Sequence, residues 1–148
     1  MATIRRSLSC TPEHVFAVLA NGWLYPSWVV GASRMRDVEH AWPAERASIH
    51  HSFGVWPVLI NDTTTMLEWE PARHALLKAR GWPMGSAHVA IDVAPQPGGC
   101  EVSISEDAVE GPGLLVPKKA REALISVRNK ETLQRLAYLA EGHANGRL

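Results

Sequence analysis

The chain ends in one long amphipathic helix, Lys118 to about Glu141, and nearly everything before it reads as short alternating segments separated by turns. A solitary helix of that length has to bury its apolar side against something, and the only partner the sequence supplies is a run of strands. Within the helix Ala120, Leu124, Ile125, Val127, Leu136, Ala137 and Ala140 are read as one apolar stripe. Lys118, Lys119, Arg121, Glu122, Lys130, Glu131 and Arg135 take the other faces. A curved sheet wrapped around a single helix leaves a cavity between them.

The strands are legible from their punctuation. Thr3 to Ser9 alternates with Ile4 and Leu8 on one face. Thr11 then suits an N-cap, Pro12 the first helical position and Glu13 the positive helix end, predicting a helix from Pro12 to Leu19. Asn21-Gly22 closes that helix with a left-handed residue, and Trp23 to Val29 forms a second short helical turn. Turn signals then recur at Trp42-Pro43-Ala44, Val55 to Asp62, Pro71-Ala72-Arg73, Trp82-Pro83 and Pro95 to Gly99. They separate six predicted strands: Arg34–Glu39, Ala47–Phe53, Thr63–Glu70, His74–Arg80, Gly85–Ala94 and Cys100–Glu110. In the fifth of these Ala87, Val89, Ile91 and Val93 share one face. In the sixth the inward set is Val102, Ile104 and, by parity, Glu106. Gly111-Pro112-Gly113 breaks the sheet before Pro117 opens the final helix.

Composition narrows the function. With 148 residues, the chain fits one domain, 1–148, of a size that buries roughly 70% of its unfolded surface. Fifteen basic and fifteen acidic residues cancel, which leaves no electrostatic footprint for nucleic acid. No apolar run reaches the length of a membrane span, and the N-terminal segment has no apolar centre of the signal-peptide kind, so a cytoplasmic location is expected. In that compartment the two cysteines, Cys10 and Cys100, are expected as thiols.

Several stretches together resemble the START and birch-pollen-allergen-like helix-grip superfamily (SRPBCC), in its bacterial polyketide cyclase/dehydrase-like branch. They are Thr11-Pro12-Glu13-His14-Val15-Phe16-Ala17-Val18-Leu19, Tyr25-Pro26-Ser27-Trp28-Val29-Val30-Gly31, Leu67-Glu68-Trp69-Glu70-Pro71 with the following strand, and Gly98-Gly99-Cys100-Glu101-Val102. The resemblance spans Thr3 to Glu141. It implies an α+β helix-grip fold: a curved seven-stranded antiparallel sheet around a long C-terminal helix, with two short helices after the first strand. It also implies an internal cavity for a hydrophobic or amphipathic small molecule, and brings no invariant catalytic set and no cofactor with it. In that arrangement the first strand pairs antiparallel with the seventh. This sets Cys10 opposite Cys100, Leu8 opposite Val102 and Arg6 opposite Ile104, one diagonal step from Glu106.

The residues that carry chemistry are few. Of six tryptophans, three precede proline: Trp42, Trp56 and Trp82. A proline holds the preceding residue extended, which places such rings at strand ends. Trp28, Phe53, Trp56, Trp82 and Met84 are the candidate ligand-binding residues, lining or lidding a pocket near the final helix; the alternative is that the tryptophans plug it as core. His50-His51 do not make a metal site, because neighbouring strand residues point to opposite faces and no further ligand pattern exists. One of the pair, with His51 the candidate, can face the cavity and orient a carbonyl or phenol or move a proton, or else be an ordinary strand histidine. Glu106 is the candidate inward carboxylate and Arg6 its candidate partner; a bulge at Glu106-Asp107 would turn both acids to solvent instead. Three functions fit: a carrier or sequestering protein for an apolar molecule, a cyclase or dehydratase acting on a polyketide-like or aromatic substrate, and a scaffold whose cavity is filled by tryptophan. A large dry cavity favours the first, a convergent His/Glu/Arg set the second, and a closed interior the third.

Overall fold

A computed structural model describes residues 2–55, 58–81 and 85–146. The elements run β1 (Ala2–Leu8), α1 (Pro12–Ala20), a 3-10 turn (Gly22–Leu24), α2 (Tyr25–Trp28), β2 (Ala32–Val38), β3 (Ser48–Val55), β4 (Val58–Glu70), β5 (His74–Gly81), β6 (Gly85–Gln96), β7 (Gly99–Glu110), a second 3-10 turn (Pro112–Leu115) and α3 (Lys118–Ala144). The strands form one curved sheet in the order β1-β7-β6-β5-β4-β3-β2, with each adjacent pair antiparallel. This is the helix-grip arrangement expected from the sequence. The segment from Val55 to Asp62, read above as a turn, instead contributes the first residues of β4, which begins at Val58.

Two local details differ from expectation. Thr11 does occupy the N-cap position of α1, but its hydroxyl bonds His14 Nδ1 at 2.8 Å and caps no backbone amide. Asn21 is not left-handed: its side chain accepts from the Trp23 amide and so starts the 3-10 turn. Gly22 is required for a different reason, since a Cβ there would lie 2.9 Å from methyls of both Val38 and Ile49. The glycine lets the helix-to-turn corner press onto β2 and β3, and the missing side chain, not the backbone angle, is what matters.

The first and last strands pair two residues away from the expected register: Leu8 faces Cys100, Arg6 faces Val102 and Ile4 faces Ile104. β1 ends at Leu8, so Ser9 and Cys10 already turn toward α1 and cannot join the ladder. A shift of two conserves side-chain parity, so the inward faces remain as read. Cys10 and Cys100 are still buried and free, close enough that each thiol feels the other. Burial and the neighbouring Cys10 push the Cys100 thiol up to about 12, and burial and the Glu141 charge raise Cys10.

The core lies between the concave face of the sheet, α1 and the second half of α3. It includes Val15, Phe16, Val18, Leu19, Ile49, Met66, Ile91, Val102 and Ile104, with Leu133, Leu136, Ala137 and Ala140 from α3. Trp42 is core as well, and its indole N–H donates to the Leu19 carbonyl at 3.1 Å. The first half of α3 behaves differently. Leu136 is 0% exposed, but Leu124 is 69% and Val127 72% exposed. The expected single stripe was a misreading of helical phase: at about 100° per residue, the nine positions from Val127 to Leu136 place the two on opposite sides. The buried face of α3 is Asn129, Thr132, Leu133, Leu136, Ala137 and Ala140.

Two substitutions separate the halves of α3. Leu136→Ala is expected to lower urea-unfolding stability by about 2–5 kcal/mol. Leu124→Ala is expected to change it by no more than about 0.5 kcal/mol. Equal costs at the two positions would contradict this division of the helix.

Candidate functional site

Because only the second half of α3 is packed as core, space remains beneath its first half. A chamber of ≈410 Å³ lies there, walled by Phe53, Ala79, Ala87, Ala108, Leu124 and Ile125 among others. Deeper in, a recess of ≈60 Å³ is lined by Tyr25, Trp28, Thr64, Leu77, Val89, Asn129 and Thr132 among others. Phe53, Ala79, Glu106 and Arg128 line both spaces and form the partition between them. The alternation read in β6 explains the walls: Ile91 and Val93 of the inward set are core, while Val89 and Ala87 of the same set face the recess and the chamber.

Glu106 is inward, as parity predicted, and 6% exposed. The alternative of a bulge at Glu106-Asp107 is not realised; the β6–β7 irregularity falls between Ser86 and Ala87. Its partner is not Arg6. Arg6 is exposed on β1 opposite Val102, because the true register carries it away from Glu106. The carboxylate instead pairs with Arg128 and accepts from Asn129 Nδ2 at 3.1 Å, both on α3. Two turns earlier, Arg121 Nε donates to Asp107 at 2.7 Å, and that hydrogen bond holds the Asp107 carboxyl below its ordinary range. At the far end of the helix Glu141 accepts from the Ser9 amide and hydroxyl at 2.9 and 2.7 Å. α3 is thus fastened by ion pairs over the chamber and by apolar packing beyond it.

At the deep end sits a hydrogen-bonded chain. Tyr25 Oη lies 2.9 Å from Thr64 Oγ1, which lies 2.9 Å from His51 Nε2. His51 stacks on Tyr25, centroids 5.0 Å apart and 19° from parallel, and meets Phe53 edge-on at 4.7 Å. Among the described residues its Nδ1 has no partner. Burial, against the opposing pull of Asp62, holds the imidazole neutral down to about 4, and burial pushes the Tyr25 phenol up to about 12.

Of the candidate residues, the structure brings Trp28, Phe53 and Glu106 to the cavity wall, places His51 one layer behind Thr64, and leaves Arg6 outside. Trp56, Trp82 and Met84 lie outside the described residues. Sequence reasoning missed Tyr25, Thr64, Arg128, Asn129 and Thr132. A signal existed for two of them: Asn129 and Thr132 continue the phase of Leu133, Leu136 and Ala140, so they are polar residues on a buried helix face. Among the described residues no three His, Cys, Asp or Glu side chains gather in a metal-holding group, and no described helix is long and apolar enough to cross a membrane.

The buried imidazole has a measurable consequence. The unfolded chain takes up a proton at this histidine near pH 6.5, the folded protein only near 4. Its contribution is therefore fully present above about pH 6.5 and is lost as pH falls toward about 4, by up to about 3 kcal/mol. Chemical denaturation between pH 7 and 4.5 is expected to show this loss, and His51→Gln is expected to flatten it. An unchanged slope in the variant would mean that other groups govern acid stability.

Comparison with known proteins agrees with this architecture. No curated protein is matched by the sequence. Among solved structures, a protein from Chromobacterium violaceum is similar with a TM-score of 0.68 at 18% identity, over 93% of this chain and 94% of that one. The di-domain ARO/CYC StfQ from the steffimycin biosynthetic pathway is similar with a TM-score of 0.73 at 12% identity, over 97% of this chain and 51% of that one. Ara h 8.0201 is similar with a TM-score of 0.67 at 9% identity, over 94% and 96% of the two chains. The family described as polyketide cyclase / dehydrase and lipid transport matches residues 1–141, and with a helix-grip sheet, a gripped C-terminal helix and a cavity between them, the chain belongs to that family.

Proposed function

We propose that the protein binds an amphipathic small molecule, its apolar body in the chamber and its polar end in the recess beyond the Glu106–Arg128 partition. The observation that carries this reading is the chamber itself. Its ≈410 Å³ falls within the range of small-molecule sites, about 300–1,000 Å³, and its wall is mostly apolar with a few polar side chains, Glu106 and three arginines among them, which is the usual composition of such sites. Membership of a family whose description includes lipid transport supports the same reading. Of the described tryptophans, Trp28 lines the recess and Trp42 is core, and none lines the chamber.

A cyclase or dehydratase role, which the StfQ likeness brings to mind, draws less support from the site chemistry. General acid–base groups work best with pKa values near the operating pH. His51 titrates at about 4 and Tyr25 at about 12, so neither exchanges protons readily near neutrality. The convergent His/Glu/Arg set that an enzyme would need is also incomplete, because Thr64 and Tyr25 stand between His51 and the recess.

Ala79 lines both chamber and recess, which makes it the place to close the cavity. Ala79→Trp is expected to weaken binding of an apolar fluorescent dye by at least tenfold while far-UV circular dichroism stays native. Undiminished dye binding in the folded variant would locate the uptake elsewhere and contradict the reading.

A further inference from the structure

Resting on the cavity-binding reading, we infer that the ligand is uncharged, and that its polar end is a hydrogen-bond acceptor of the ketone type, met in the recess by a hydroxyl proton of the Tyr25–Thr64 pair. Two independent observations lead there.

The first is charge matching. Three arginines line the chamber: Arg80, Arg121 and Arg128. Each faces a carboxylate: Arg80 Nε lies 3.8 Å from Asp62, Arg121 Nε 2.7 Å from Asp107, and Arg128 pairs with Glu106. A ligand carboxylate entering this space would find its cations already neutralised and would approach the Glu106 carboxylate at the partition. Desolvating an anion without a partner is costly, so an anionic ligand is selected against. An uncharged polar group meets no such barrier.

The second is proton counting along the buried chain. Tyr25, Thr64 and neutral His51 hold three protons among them, one each. If the imidazole proton sat on Nδ1, it would be a buried N–H with no acceptor among the described residues, an arrangement folded proteins largely avoid. With the proton on Nε2, His51 donates to Thr64 Oγ1. The two hydroxyl protons then have a single internal acceptor left to share between Tyr25 Oη and Thr64 Oγ1, so one hydroxyl proton is left over. Both oxygens belong to residues that line the recess. The left-over donor needs an acceptor, and a carbonyl oxygen supplies one without charge. The recess, at ≈60 Å³, holds a few atoms, enough for a carbonyl with its flanking methyl.

The test compares 2-undecanone with undecanoate, each displacing an apolar dye from the protein at pH 8, together with the infrared carbonyl stretch of bound 2-undecanone. The ketone is expected to bind at least tenfold more tightly than the carboxylate, with its stretch moved to lower wavenumber than in a hydrocarbon solvent. Glu106→Gln, which releases Arg128, is expected to narrow that preference by about tenfold in favour of undecanoate. Tyr25→Phe combined with Thr64→Val is expected to return the stretch toward its hydrocarbon value. A bound ketone whose stretch already matches hydrocarbon, or undecanoate binding as tightly as the ketone to the wild type, overturns the inference while leaving cavity binding intact. Displacement of the dye by neither ligand overturns the cavity reading itself. If the double variant fails to fold, the wild-type spectrum and Glu106→Gln still decide the matter.

Discussion

The tie from Glu106 on β7 to Arg128 and Asn129 on α3 is the interaction on which the interior depends. A buried ion pair is a poor source of net stability, and hydrophobic residues of similar volume often do as well or better. At this place, though, leucines would draw the helix onto the sheet and close the space beneath it. A charged, hydrogen-bonded tie fixes the helix at a distance and leaves the intervening volume to be lined instead of filled. The Arg121–Asp107 pair does the same nearer the start of α3. Once paired, Arg128 cannot be removed without stranding the buried Glu106 charge, so the tie also fixes where the partition between recess and chamber must lie.

The division of α3 follows from this. Its second half, with Leu133, Leu136, Ala137 and Ala140 buried, gives the fold its hydrophobic anchor. Its first half carries exposed Leu124 and Val127 and is held mainly by charge. Stability and ligand space are thereby assigned to different turns of one helix. The inner chain of Tyr25, Thr64 and His51 adds a polar floor that stays neutral across the physiological range, because burial moves the imidazole and the phenol away from neutrality in opposite directions. A floor of that kind offers hydrogen bonds without exchanging protons near neutrality.

Much of the architecture was legible in the sequence because it rests on parity and punctuation. Val102, Ile104 and Glu106 alternate on one face, and a register shift of two leaves that face unchanged, so Glu106 could be placed inward even though the first strand was aligned wrongly. Its partner could not be found the same way. Strand pairing alone points to Arg6, whereas Arg128 reaches Glu106 across the space between helix and sheet, a distance that strand alternation does not encode. The phase of α3 was within reach, since Asn129 and Thr132 fall in step with Leu136, but treating every apolar residue of the helix as one stripe hid them. The hydrogen-bonded chain was beyond reach for another reason: Tyr25, His51 and Thr64 come from three separate elements, and only the packed structure brings their polar atoms together.

The central claim, that the space beneath the first half of α3 receives an apolar molecule, is tested most directly by methyl-resolved NMR of the protein titrated with 2-undecanone. The largest shifts are expected at the methyls of Ala79, Ala87, Ala108 and Ile125, which wall the chamber, with those of Ala137 and Ala140 in the core little changed. Shifts confined to the outward methyls of Leu115 and Val127, or none at saturation, would contradict it.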